Sequence, residues 1–407
     1  MRPMAAKPTP RAVWLIVLAG ATIAAIGMGL RQVMGLYLKP VTEVLGIGRE
    51  AFGLAIAIAN IVWGLAAPFV GAVSDKYGTG RVVIFGALCT AGGLGVMYAA
   101  TSDLHLFVSG VLMGFGVAGA GVNAMVGAVG RASPPEQRTA AIAALGMGSG
   151  IGIFIALPYT HLLIEQLGWK TSLLVLAATA LAMLPLALPV SGKPTVQALE
   201  KPQSLADALR EAFRHPSFWL LNAGFFVCGF HVVFYGVHLP AYVADKGLGN
   251  DVAVIALTVV GIGNLLGTYL AGQSAKFVEK RIGLSLIYLG RALIFLGFLF
   301  LPITGTTIIV LSAGLGLLWL STVPLTTGLV ATFFGPAWMT MLYGIVFFSH
   351  QVGSFLGVWL GGRVFDITRS YDAMWWISVA LGLFAALVHW PIKERPVARL
   401  AAPTVAA

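Results

Sequence analysis

Long apolar runs separated by short polar breaks dominate the chain. An α-helix rises about 1.5 Å per residue and a bilayer core is about 30 Å thick, so roughly 20 apolar residues make a span. Twelve runs meet that length. They lie near Ala12–Leu38, Ala51–Ala72, Arg81–Ala100, Leu104–Gly130, Ala140–Leu167 and Ser172–Val190, then near Ser217–Val243, Val252–Gly272, Gly283–Leu301, Thr307–Phe333, Trp338–Val364 and Ala373–Pro391. Between the two sets of six lies a polar stretch, Ser191–Pro216, which reads as a linker carrying one short amphipathic helix, Ser204–Phe213. The pattern predicts an all-α membrane protein of twelve transmembrane helices in two six-helix bundles. The expected division is 1–190, a linker 191–216, 217–392, and a tail 393–407.

Composition sharpens this picture. Hydrophobic residues make up 58% of the 407, charged residues 10%, and mean hydropathy is +0.91. A water-soluble domain of this length does not hide so much apolar surface. The first run is too long for a cleaved leader and reads as a retained span. Cys89 and Cys228 both fall inside apolar runs, so no disulfide framework is expected, and no metal or cofactor motif appears. The net charge of +10 could suggest nucleic acid, but its placement points elsewhere. With the N-terminus inside, 17 of the 25 basic residues become cytoplasmic, 6 external and 2 intramembrane (Arg31 and Arg291). This is the positive-inside bias, with both termini cytoplasmic and no nucleic-acid partner.

The halves show a weak repeat at an offset of 200: Pro40 matches Pro240, Ser74 matches Ser274, Lys76 matches Lys276 and Arg81 matches Arg281. Between the second and third runs stands Gly71-Ala-Val-Ser-Asp75-Lys76-Tyr77-Gly78-Thr-Gly-Arg81, expected as a tight, charged turn with Gly71 and Gly78 permitting close approach and reversal. That pattern resembles the loop 2–3 signature of the major facilitator superfamily, in which it acts in conformational gating. Three further stretches are similar to the monocarboxylate porters and their bacterial relatives. These are Gly35-Leu-Tyr-Leu-Lys39-Pro40, the run from Glu136-Gln-Arg138 to Gly146-Met-Gly-Ser-Gly150, and Leu167-Gly168-Trp169-Lys170. One departure stands out. Where those porters carry an Asp and an Arg four apart in span eight, this chain has Asn264 and Thr268. The eighth-span Arg and eleventh-span Lys of the oxalate:formate antiporter are missing too.

All 15 acidic residues fall in loops or at span ends, so no buried carboxylate can serve as a proton relay. Inside remain Arg31, Arg291 and histidines. First spans of the superfamily line the cavity, which makes Arg31 the expected anchor for a substrate carboxylate, since a guanidinium and a carboxylate match in bidentate geometry. Gln32 and Lys39 stand beside it as binding candidates, Lys39 at the position of the family's first-span lysine. His231 falls 200 residues after Arg31, with Tyr235 and His238 one and two turns on. His350 and Gln351 sit in span eleven, and Asn123 in span four. His231, His238 and His350 are the candidates for carrying a proton, because imidazole titrates near neutrality. Arg291, in a ninth span that in the superfamily supports the bundle from outside, is expected to bond neighbouring carbonyls or to reach the cytoplasmic interface. No P-loop and no nucleophile–base pair occurs, so neither ATP nor enzymatic chemistry is indicated.

These readings converge on a monomeric secondary transporter of a bacterial inner membrane. It would move a small organic anion, such as a lactate- or pyruvate-like monocarboxylate, together with protons. A proton-driven efflux pump and an organic-anion exchanger are the alternatives.

Overall fold

The computed structural model describes residues 10–121, 124–125, 128–129, 133, 138–191, 204–335 and 338–400. Helices account for the regular structure, and no strand occurs among the described residues. Among the described residues, eleven helical stretches are long and apolar enough to cross a membrane. One of them, Ala144–Leu186, has 43 residues, about twice what a bilayer needs. It breaks at Gly168, whose φ of 76° and ψ of 160° are not helical. Counting its two arms separately gives the twelve spans of the sequence reading.

The chain packs as two units, one comprising Met1–Val41 and Val62–Val196, the other Thr42–Ile61 and Gln197–Ala407. Division by packing therefore differs from division by chain order, because residues 42–61 go with the second unit. The reason is a set of bonds from Arg49 and Glu50, described below.

In the first unit, α1 (Pro10–Gln32) runs into a 3-10 turn (Val33–Tyr37) and α2 (Leu38–Leu45). Then come the C-terminal part of α3 (Arg49–Tyr77), α4 (Thr79–Tyr98), α5 (Asp103–Ala120), α6 (Arg138–Leu181) and the short α7 (Met183–Leu186). α1 and α6 meet along a glycine seam. A Cβ on Gly148 or Gly152 would collide with the α1 backbone at Ala21 or Ala25. Gly152 thus brings two helices to near backbone contact, a device membrane bundles use because lipid gives helices no hydrophobic reason to associate.

The signature at 71–81 is tighter than a loop. α3 continues to Tyr77, and Gly78 alone makes the joint at φ 94°, ψ 146° before α4 begins. A residue with a Cβ resists that backbone conformation. Gly78 N–H donates to the Ser74 carbonyl at 3.0 Å, and the Ser74 and Thr79 hydroxyls bond at 2.7 Å. The expected close approach at Gly71 is corrected: a Cβ there would meet nothing within 4 Å. The side chains of Asp75 and Lys76 lie outside the described residues.

The second unit begins with the linker helix α8 (Leu205–Phe213), N-capped by Ser204, whose Oγ accepts the Asp207 N–H at 3.1 Å. It continues with α9 (Pro216–Asp245), α10 (Asn250–Ser274), α11 (Lys280–Phe300), α12 (Gly305–Leu317), α13 (Thr322–Phe334), α14 (Met339–Thr368) and α15 (Asp372–His389). α9 is the innermost, with Ser217, Phe218 and most of its later residues buried. Its partner α14 approaches closely enough that a Cβ on Gly229 or Gly353 would strike backbone. Outward-facing positions such as Phe69, Phe277 and Leu387 are large and apolar, as a lipid-facing surface requires.

Candidate functional site

The tenth span is not continuous. α12 stops at Leu317 and α13 starts at Thr322. Pro324 explains the break: it has no N–H for the Leu320 carbonyl, and its ring crowds that position. A break at membrane depth frees backbone groups that water cannot satisfy, and side chains replace the missing bonds. Arg291 Nη2 donates to the carbonyls of Leu318, at 2.6 Å, and Trp319, and its Nε also reaches Leu318 at 3.1 Å. Asn264 Oδ1 accepts the Leu320 N–H at 3.0 Å, while Thr268 donates to the same oxygen at 3.3 Å. Arg291 therefore bonds neighbouring carbonyls, as expected from its sequence setting. Asn264 thus bonds the break directly, and Thr268 supports Asn264.

A polar chain extends inward from this break. Arg291 Nη2 reaches Cys228 Sγ at 3.5 Å, and Cys228 also meets the Thr322 hydroxyl at 3.3 Å. Beside Cys228 lies His350, whose Nδ1 bonds Gln351 Oε1 at 3.0 Å. Gln351 Nε2 donates to the Asn60 carbonyl at 3.0 Å, which leaves its oxygen to accept from His350 and places the imidazole proton on Nδ1. Arg291, Cys228, His350 and Gln351 are all buried. The ring of His350 stacks on Phe347 with centroids 5.7 Å apart.

The other histidine candidates are held differently. His231 Nε2 donates to the Ser378 carbonyl at 2.9 Å and its ring packs edge-on to Phe295 at 4.8 Å, so it faces α11 and α15. Tyr235 donates to Ser312 Oγ at 2.6 Å, a hydroxyl that in turn donates to Ile308. His238 has both ring nitrogens engaged, Nε2 with the Val358 carbonyl at 2.8 Å and Nδ1 with the Tyr371 hydroxyl at 3.0 Å. The shared face expected for His231, Tyr235 and His238 is thus divided among four neighbouring helices, α11, α12, α14 and α15.

At the end of the second unit remote from α8, a cluster appears that sequence reasoning had treated as loop charge. Arg49 makes a two-pronged ion pair with Asp245 at 2.6 and 2.8 Å, and donates to the Tyr371 hydroxyl at 3.0 Å. Its guanidinium lies 3.6 Å from the centroid of Phe365. Asp366 caps the start of α3, accepting the N–H groups of Arg49 at 3.0 Å and Glu50 at 2.8 Å. Glu50 in turn takes Arg363 Nη1 at 2.9 Å and the Trp359 indole N–H at 3.0 Å. Through Tyr371, His238 belongs to this cluster. The only sequence signal for it is that charges recur where α3 starts and α9 and α14 end; their pairing is tertiary.

In the first unit, Arg31 and Gln32 close α1, half-buried, with the Arg31 guanidinium 5.1 Å from the Trp63 ring centroid. Lys39 lies half-buried in α2. Tyr37 joins Ser172 at 2.7 Å. Arg81 sits 5.9 Å from the Tyr77 ring, beside the Gly78 joint. Asn123 lies outside the described residues.

The sequence model of the Major Facilitator Superfamily matches residues 17–358. Monocarboxylate transporter 11 of Homo sapiens is 27% identical over 396 residues, covering 92% of this chain and 82% of that protein. The sialic acid transporter NanX of Escherichia coli (strain K12) is 28% identical over 247 residues, covering 59% of this chain and 58% of its own. Among solved structures, a D-xylose-proton symporter superposes with a TM-score of 0.73 at 16% identity, covering 95% of this chain and 99% of that one.

Proposed function

The chain belongs to the major facilitator superfamily, and we propose that within it the protein is a secondary active transporter of a small organic anion bearing a carboxylate, a monocarboxylate first, moved with a proton. Superfamily membership makes it a transporter rather than an enzyme.

The observation that carries the anion reading is the sign of the charge within the spans. Arg31 ends α1 within the longer apolar stretch Val13–Leu45 and Arg291 lies inside α11, whereas the described acidic residues stand near helix ends or the Gly168 break, in the linker, or in the C-terminal segment. Arg291 is committed to the carbonyls of the broken span, and Arg31 is the guanidinium proposed to meet the substrate carboxylate. Two relatives whose names specify monocarboxylates and sialic acid, both carboxylates, support the same substrate class. Gln32, the next residue, and Lys39, eight residues on in α2, would draw the anion toward the anchor.

His350 is the group proposed to hold the proton. It sits in a polar chain with a defined tautomer, while His231 and His238 are fixed to backbone carbonyls. Gln351 orients it. The Arg49–Asp245 pair with its cluster, and the Gly78 joint with Arg81, are the groups proposed to act in gating as the protein alternates between states.

The test is uptake of labelled lactate and pyruvate by purified protein in liposomes, with and without an inward proton gradient. Gradient-stimulated accumulation that Arg31→Gln abolishes, in a variant that still inserts and elutes as a single species, is expected. Uptake unchanged by Arg31→Gln would overturn the anchor. Movement of organic anions by exchange alone would favour the exchanger, and no movement of either acid would favour efflux of a larger molecule.

A further inference from the structure

We infer that the cleft between α8, the start of α9 and the C-terminal segment binds the phosphate headgroup of an anionic phospholipid. This site is separate from the transport pathway proposed above and does not depend on its substrate. The cleft measures about 800 Å³ and is lined by Arg210, Arg214, Lys393 and Arg395 along with Asp207 and Glu211.

The two carboxylates are already engaged. Asp207 accepts the Ser204 hydroxyl at 2.6 Å and pairs with Arg210 at 3.6 Å, and Glu211 pairs with Arg399 at 3.3 Å. Among the described residues, the side chains of Arg214, Lys393 and Arg395 make no ion pair. Three cations thus line one cleft whose two carboxylates pair with other arginines. Such a set suits a phosphate diester, whose oxygens take charge-assisted hydrogen bonds from guanidinium and ammonium groups. His215 at the wall adds a buried Nδ1 with no hydrogen-bond partner.

The surroundings favour a lipid over a soluble phosphate. Phe213 and Trp219 stack with centroids 5.5 Å apart at the rim, both largely exposed, and the Trp219 indole donates to the Phe213 carbonyl at 2.9 Å. Trp390, 59% exposed, stands next to Pro391 of the lining. Exposed tryptophans beside basic groups at helix ends mark the headgroup level of a membrane. α8, with Ala208 and Ala212 buried and Leu205 and Phe213 exposed, has the character of a helix lying in that plane. A lipid seated there could place its phosphate in the cleft and its chains along the apolar foot of α9.

Native mass spectrometry of the full chain, released from detergent with phosphatidylglycerol or phosphatidylcholine added, tests this. Phosphatidylglycerol should survive at collision energies that strip phosphatidylcholine. The combined Arg214→Gln, Lys393→Gln, Arg395→Gln variant should lower its retention about tenfold, in keeping with attraction of anionic lipid by basic clusters. Lys246→Gln with Arg369→Gln, at the other end of the unit, should leave it unchanged. Equal retention of the two lipids by the unmodified protein, which needs no variant to fold, would overturn the proposal, as would unchanged retention by the triple variant. If millimolar inorganic phosphate displaces the bound phosphatidylglycerol, the site serves free phosphate and the lipid assignment fails.

Discussion

Arg291 offers the sharpest test, because its partners predict both a cost and a rescue. It donates to the Leu318 and Trp319 carbonyls, which the break before Pro324 leaves without helical donors. In Arg291→Leu the Leu318 carbonyl would lose its donor, and Trp319 would keep only the long contact from Cys228 Sγ at 3.9 Å. An unsatisfied buried polar group costs about 1–3 kcal/mol, so the two together cost roughly 2–6 kcal/mol. Relief of the buried guanidinium works in the opposite direction, because a charge in a dry interior carries its own desolvation penalty. We expect a net destabilisation of about 2 kcal/mol, with Arg291→Lys losing less because one donor remains. Pro324→Ala supplies the missing N–H and removes the ring clash, so the span can close and pair its own carbonyls. In that background Arg291→Leu should cost less than half as much. The measurement is a double-mutant cycle by denaturant unfolding in mixed micelles, followed by tryptophan fluorescence. An equal cost for Arg291→Leu in both backgrounds would refute the idea that this arginine replaces backbone bonds.

The Arg49–Asp245 pair should behave as a single unit: Arg49→Gln and Asp245→Asn should each destabilise, and the double change should cost little beyond either alone, a coupling of roughly 1–3 kcal/mol for a pair largely shielded from solvent. Additive costs in the same unfolding assay would show that the two side chains act independently. Gly152→Leu should prevent α1 and α6 from meeting, costing roughly 1–3 kcal/mol or more and lowering the yield of monodisperse protein. Gly146→Ala, where a Cβ meets nothing within 4 Å, should be neutral or slightly stabilising, and a comparable loss at both positions would count against the seam.

Much of this protein is legible from hydrophobicity alone. Lipid replaces water as solvent, so each span must satisfy its own backbone, and the number of spans follows from run length. The glycine-and-charge signature named the superfamily for the same reason: a one-residue reversal at Gly78 needs a glycine wherever it occurs. The basic residues and the lack of intramembrane carboxylates in the sequence are what suggest an anionic substrate. What run length could not reveal is where a span breaks, because Pro324 inside an apolar stretch is tolerated or not according to the neighbours that replace its lost bonds. Nor could it tell His350 from His231 and His238, since three histidines of similar sequence setting differ only in which carbonyl or side chain each one meets. The same holds for Arg49 and Asp245, which are 196 residues apart. Sequence determined what each segment must bury; only packing decided which polar groups were left to face one another.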